Sequence, residues 1–375
     1  SMKISNVRIR RLRVIEEIGT LDLAWSPGDK LPVQLGGGSY VEIQTDEGIC
    51  GIGPEIDDRF LPALEKILIG KNPLDVEQLS AQLEYYLPYG THYQHVAGVD
   101  IALWDIVGKA KGQPLYKLWG GTKDKIVPYA AMVLLSTPEE RAEMALKLKA
   151  DGWQAIKVRL HHETMQEDIR TVTCVREAVG DDMQIMVDAN QAQSKGDWQP
   201  GVRWDYQRAY ETGLELQNLN CAWLEEPRPR YALEELISLG EALEIPIAGG
   251  ENSGILYEFE QMCERNVYSI LQPECLVLTG ITETLKVGEL ARKHNKQVVP
   301  HNGYVKLGLI AHMHMVASWT HAPYIELVND PPIGAYQNFL SILTNPPVVD
   351  AEGYMNMPQA PGLGVEIDPD LVLED

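Results

Sequence analysis

Asp188, Glu225 and Glu251 each close a short apolar run, in Gln184–Asp188, Ala222–Glu225 and Pro246–Glu251. Each lies about one strand-plus-helix unit from the next. Carboxylates gathered in one place repel unless a cation sits among them, and oxygen-only ligands suit Mg²⁺, which keeps water or substrate oxygens in its octahedral shell. Any one of them alone reads as a solvated loop carboxylate; three in phase with the runs read as a ligand set. Lys157 and Arg159 stand two apart in Ala155–Leu160 and share one face of that run. A cation beside the metal can hold a substrate carboxylate, and the second can serve as an acid/base or a further clamp; a surface pair is the plainer reading. His301 follows Val298-Val299-Pro300, and Glu274 ends the run before it. A carboxylate on one imidazole nitrogen fixes the tautomer and raises the basicity of the other, which suits abstraction of a proton from carbon. Glu326 ends the last run. Facing a substrate carboxylate it would help if protonated, by donating to the developing enolate; the alternative is a rim salt bridge. His161, His162, His312, His314 and His321 are read as structural or surface residues.

The elements that must position these residues form two patterns. Residues 2–13 alternate as an edge strand, and 39–53 read as two strands around Asp46-Glu47-Gly48, with a loop of about 20 residues between, containing Gly36-Gly37-Gly38. Asn72 is expected to cap a helix with Pro73 at its first position, and a second helix is expected over 95–111. From about residue 126, apolar runs alternate with amphipathic helical runs. Thr137, Pro138 and Glu140 spell a capping box. Eight runs (126–133, 155–160, 184–188, 222–225, 246–251, 269–274, 298–301 and 324–326) alternating with helices predict a parallel barrel, whose C-terminal strand ends converge on the site. The tail, 345–375, is Pro/Gly-rich with one strand-like run.

Composition bounds the function class. The 375 residues carry a net charge of −22, which disfavours nucleic acid and anionic membranes as partners. No run approaches the roughly 20 apolar residues of a membrane span, and Ser1-Met2-Lys3-Ile4-Ser5 shows no signal-peptide core; Ser1 resembles a tag scar and is set aside. The five cysteines, Cys50, Cys174, Cys221, Cys263 and Cys275, form no Cys-x-x-Cys and are expected to be buried free thiols in a cytoplasmic protein.

The motifs Lys157-Val-Arg159, Val187-Asp188-Ala189-Asn190, Trp223-Leu224-Glu225-Glu226-Pro227, Gly249-Gly250-Glu251-Asn252, Gln272-Pro273-Glu274 and Val299-Pro300-His301-Asn302-Gly303 resemble the enolase superfamily, mandelate racemase subgroup, over nearly the whole chain. Val99–Asp105 is similar to the helix leading into the family's barrel, and Pro361–Val365 to its C-terminal return to the cap. The resemblance implies a modified (β/α)₇β barrel under an α+β capping domain, divided here as cap 2–122, barrel 123–345 and returning tail 346–375. It implies Mg²⁺ on Asp188, Glu225 and Glu251, His301 as base with Glu274 as partner, and Lys157, Arg159 and Glu326 around the substrate carboxylate. It makes Asn190 a substrate contact and places specificity in the capping loops near 17–38 and 53–58. Two positions depart from the family: Glu274 stands where Asp is usual, and Arg159 where the racemase has Lys. Arginine stays protonated, so a one-base reaction is favoured. Acid-sugar dehydration leads; racemisation, epimerisation or cycloisomerisation uses the same enolate; and a silent acid-binding barrel is a different class, which would need no base. A homo-oligomer is expected by resemblance alone.

Overall fold

The computed structural model describes residues 1–86, 96–303 and 306–374. The chain begins with β1 (Ile4–Arg11), β2 (Val14–Asp22), β3 (Lys30–Gly36), β4 (Ser39–Thr45) and β5 (Cys50–Pro54). β1, β4 and β5 form an antiparallel sheet in which β1 is an edge, as its alternation predicts. Helices α1 (Leu61–Leu68), α2 (Val76–Tyr86), α3 (Ala97–Lys111) and α4 (Leu115–Leu118) cover it. The first residues of the helix expected over 95–111 fall partly outside the described residues. β5 lies so close to α3 that a Cβ on Gly53 would meet the Gly98 carbonyl oxygen at 1.9 Å, so glycine is required there.

Two expectations are corrected. The segment read as a loop is a two-stranded ribbon, β2 paired with β3. β2 is exposed along nearly its whole length and carries both register slips, so only β3, with Leu31, Val33 and Leu35 turned inward, shows an inside/outside alternation. Asn72 caps a turn rather than a helix. Its side chain accepts Leu74 N–H at 3.0 Å, Asp75 N–H closes back on the Asn72 carbonyl, and the helical ladder starts from the Asp75 carbonyl.

After β6 (Lys125–Ile126) come β7 (Pro128–Ala131), α5 (Pro138–Ala150), β8 (Ala155–Arg159), α6 (Met165–Val179), β9 (Gln184–Asp188), α7 (Tyr206–Asn218), β10 (Trp223–Glu225), α8 (Leu233–Ala242), β11 (Ile247–Gly249), α9 (Leu256–Glu264), β12 (Ile270–Leu271), α10 (Ile281–Lys293), β13 (Gln297–Val298), α11 (Lys306–Ser318) and β14 (Ile325–Val328). The predicted capping box of α5 is formed on both sides. β7 to β14 make one parallel sheet in the order β13-β12-β11-β10-β9-β8-β7-β14. It curls until Val298 N–H reaches the His321 carbonyl, just before β14, at 3.1 Å. Seven strand–helix units and a last strand are the (β/α)₇β arrangement. Its interior is filled by Tyr129, Ala131, Ala155, Met186, Trp223, Ala248, Ile270 and Val299, a packed plug rather than a pore.

The cap is tied to the barrel by buried carboxylates on α3. Asp100 accepts Thr282 N–H (3.1 Å), and Asp105 accepts Ile52 N–H (3.0 Å) and Leu363 N–H (2.8 Å). β15 (Met355–Asn356) pairs with β6, and the tail returns to β1 through Leu373 N–H to the Arg11 carbonyl (2.9 Å). Among the described residues the five cysteines are free; Cys221, Cys263 and Cys275 are buried as expected, whereas Cys50 and Cys174 are half-exposed. No described helix is long and apolar enough to cross a membrane.

Candidate active site

Strand register brings the charged residues together. The β8–β9 ladder sets Arg159 opposite Asp188, and the β9–β10 ladder sets Asp188 opposite Glu225. Side chains two apart on β8 share the interior face, so Lys157 rises beside Arg159. β11 leaves the ladder through Gly250 at φ +120, a conformation that favours glycine, and Glu251 then turns back over the mouth. β9 and β10 leave through Asn190 (φ +50) and Glu226 (φ +49). Asparagine tolerates this region readily, as Asn220, Asn266 and Asn295 also show, whereas for glutamate it is uncommon.

Oxygens of Asp188, Glu225 and Glu251 lie within 4.8 Å of one another. Trp223 Nε1–H (3.2 Å) and Gln272 Nε2–H (2.8 Å) donate to Glu225, and Asn190 N–H (2.8 Å) donates to Asp188. Burial pushes the Asp188 carboxyl well above its usual range, and the neighbouring Glu225 adds to this. Burial also raises Glu251, and His301 opposes it. Burial is the largest influence on Glu225, but the Lys157 ammonium, hydrogen bonds with Asp188 and Gln272 and the Arg159 charge together outweigh it and bring the carboxyl down to about 2. Buried carboxylates that raise one another's pKa are what a divalent cation would relieve. The donor set is all oxygen, so the residues fit Mg²⁺.

Lys157 is buried among acids: Glu326 at 2.5 Å, Glu225 at 3.0 Å and Asp188 at 3.6 Å. Burial alone would lower its pKa, but these carboxylates outweigh it and keep it charged. Glu326 also takes Tyr129 O–H at 3.0 Å. Burial opposes ionisation of Glu326, yet Lys157 and His301 hold its carboxyl below the usual range. Of the two readings the sequence left open for Glu326, a proton donor or a salt bridge to a basic residue, this arrangement has the pair with Lys157. Arg159 donates to Asp188 (2.9 Å) and Asn190 (3.3 Å), and its guanidinium lies 4.6 Å from the centre of the Trp25 ring. Trp25 comes from the turn between β2 and β3.

His301 Nδ1 meets Glu274 at 3.2 Å, while Nε2 faces Glu251 at 3.2 Å and Glu326 at 3.9 Å. The predicted dyad is thus formed in spite of the extra methylene. Burial would lower the imidazole's pKa, but Glu251 and Glu274 raise it to about 10. His301 is 25% exposed while the Lys157 and Asp188 side chains are 1% exposed, so it is the group a molecule entering the mouth can reach. Every site residue expected from the sequence lies in this cluster. Tyr129, Trp223, Gln272, Asn302 and Glu226 were given no role. Their signal was readable only as strand phase: Tyr129 and Trp223 point into the barrel, and Gln272 precedes the Glu274 strand end by two. Glu226 is buried, its carboxyl raised by desolvation and by Glu251, Asp188 and Glu225.

The chain's relatives carry the same architecture. Residues 139–371 match the family model described as enolase C-terminal domain-like, and 37–120 match the mandelate racemase / muconate lactonizing enzyme N-terminal domain. The chain belongs to the enolase superfamily, in its mandelate racemase / muconate lactonizing enzyme group. It is 30% identical to the arabinonate dehydratase of Saccharolobus solfataricus over 87% of each chain. It is 31% identical to the L-talarate/galactarate dehydratase of Salmonella typhimurium over 77% of this chain and 68% of that one. Among solved structures, D-glucarate dehydratase from Agrobacterium tumefaciens complexed with magnesium superposes with a TM-score of 0.84 at 26% identity, covering 99% of each chain.

Proposed function

We propose that this enzyme is a Mg²⁺-dependent acid-sugar dehydratase that removes the proton next to a carboxylate. The observation that carries the reading is the close set of Asp188, Glu225 and Glu251 with His301 Nε2 facing its edge at 3.2 Å from Glu251. In it, Asp188, Glu225 and Glu251 hold Mg²⁺, which when bound supplies positive charge to the substrate carboxylate as electrons move onto it. Lys157 and Arg159 add fixed cations on the β8 side, and Asn190 lines the same edge. Glu274 orients His301 through Nδ1, so Nε2 takes the α-proton. A free imidazole is needed for that step; Glu251 is the largest carboxylate influence holding the proton on His301, and its charge is engaged when it serves as a ligand. The C–H electrons pass to the carboxylate, then form the C2–C3 double bond as the β-hydroxyl leaves with a proton as water. His301 supplies that proton, and the enol product relaxes to a 2-keto-3-deoxy acid. Arg159 cannot act as a second base at ordinary pH, which favours dehydration over two-base racemisation. The division into cap 2–122, barrel 123–345 and tail 346–375, and self-association into a homo-oligomer, form part of the same reading. Support comes from the relatives' dehydratase names and from the tie of tail to cap.

The test is a library of mono- and diacid sugars incubated with enzyme and Mg²⁺, scored for 2-keto-3-deoxy acid and for α-deuterium in D₂O. At least one acid sugar should be dehydrated, and a chelator should abolish the reaction. Turnover that persists unchanged without divalent cation, or neither dehydration nor exchange across the library, contradicts it. A monomer by light scattering contradicts the self-association.

A further inference from the structure

His312, read from the sequence as an ordinary structural histidine, is fully buried on α11 and joins the backbone next to Glu274 to the residue next to His301. Cys275 N–H points at its Nε2 at 3.0 Å, and its Nδ1 meets Asn302 Oδ1 at 2.6 Å. Asn302 in turn donates Nδ2–H to the Glu326 carbonyl at 3.0 Å and N–H to the Glu326 carboxylate at 2.8 Å. The proton positions follow from groups that have no choice. A backbone carbonyl only accepts, so Asn302 must aim Nδ2 at Glu326 and Oδ1 at His312. An amide oxygen only accepts, so Nδ1 of His312 carries a hydrogen. A backbone N–H only donates, so Nε2 of His312 carries none. His312 is therefore the neutral Nδ1–H tautomer, and burial likewise disfavours its charged form. Donor atoms of Glu274, Cys275 and His312 lie within 4.8 Å of one another, but the lone pair an ion would need already accepts Cys275 N–H. The cluster is a brace, not a cation site.

We propose that His312 is a positioning residue. It fixes the ends of the strands that carry Glu274, His301 and Glu326, and so sets the direction in which His301 Nε2 faces the substrate. Glu274 makes such a brace useful. Its side chain has one more rotatable bond than aspartate, and it is anchored by Leu276 N–H at 3.1 Å on the oxygen that lies 3.5 Å from His312. Without His312, the Cys275 N–H and the Asn302 amide oxygen would be buried and unpaired, and the two strand ends would lose their shared partner. The inference rests on His301 as the base.

Its test uses His312→Leu, →Asn and →Gln beside His301→Asn, on a sugar acid that the wild type dehydrates. Removing a partner that orients a reacting group costs about 10- to 100-fold. His312→Leu should lose that much in kcat and in α-proton exchange, with KM and Mg²⁺ affinity within about threefold. Asparagine restores a donor at the Nδ1 position and glutamine an acceptor at the Nε2 position, so each should recover about fivefold over leucine, roughly one hydrogen bond's worth. Long-range ¹H–¹⁵N correlation on the wild-type protein should show His312 as neutral Nδ1–H at neutral pH and above. An Nε2–H tautomer, or titration in that range, overturns the brace even if the variants do not fold. So does His312→Leu turning over within about twofold of wild type while His301→Asn has lost exchange, or all three His312 variants losing kcat, KM and metal affinity together. Exchange retained by His301→Asn overturns the base assignment and the positioning role with it.

Discussion

Lys157 lies at the centre of the site's charge balance, its ammonium contacting Glu225, Glu326 and Asp188 in a place water does not reach. Removing one partner of a buried ion pair leaves the other uncompensated and costs roughly 3–5 kcal/mol. Lys157→Met should therefore lower the melting temperature in a chelator, and Mg²⁺ should restore part of it, since the ion also neutralises Glu225. A chelated variant that melts with the wild type contradicts this balance. At this scale the sequence was most legible where charge followed strand phase. Asp188, Glu225, Glu251, Glu274 and His301 were found because each ends an apolar run. For Glu326 the sequence left a proton donor and a salt bridge both open, because the choice depends on Lys157 arriving 2.5 Å away from another strand. His312 was hidden because α11 is buried all round, and a histidine within such a helix carries no periodic signal.

At the scale of elements, the β2–β3 ribbon decides what lies over the mouth. Leu21 and Val33 pack against Val133 and Val328, and Ala24 N–H and Leu135 N–H bond across to Val133 (2.9 Å) and Asp22 (3.0 Å). The ribbon is thus fastened to the ends of β7 and β14, and Trp25 is carried to Arg159. Cation–π contact at a partly desolvated site contributes about 1–2 kcal/mol. Trp25→Ala should raise KM about tenfold and change kcat little; an unaltered KM across active substrates would remove Trp25 from substrate recognition. The ribbon escaped sequence reading because β2 is exposed along nearly its whole length and only β3 alternates, whereas each barrel strand advertises its burial. A second joint lies where α11 meets α4 and the tail. His314 accepts Tyr116 N–H (3.2 Å) and donates to the Leu363 carbonyl (2.7 Å). Burial lowers its pKa to about 4, against about 6.5 in the unfolded chain. Between those values the unfolded state binds the proton and the folded state does not. The stability His314 contributes is complete above about pH 6.5 and is lost as pH falls toward about 4. His314→Gln should blunt that acid sensitivity in denaturant titrations; an identical pH slope contradicts it.

For the whole molecule, cap and barrel act as one frame because α3 bonds to α10 through Asp100 and to both β5 and the tail through Asp105. The alternation of strands and helices gave the barrel, and the paired motifs gave its capped form; the tail's path to Arg11 depended on contacts between chain ends that local sequence does not encode. The frame presents three carboxylates, two cations and one reachable imidazole at a single mouth. The central claim is that this imidazole removes the proton beside the carboxylate while the carboxylates hold the ion. The most direct measurement is solvent-deuterium incorporation by wild type and His301→Asn on one verified acid sugar, with Mn²⁺ binding followed on the same samples. Wild type should exchange the α-proton, and His301→Asn should lose it by about 10²- to 10⁴-fold while still binding the ion at Asp188, Glu225 and Glu251. Exchange by His301→Asn at the wild-type rate would contradict the account.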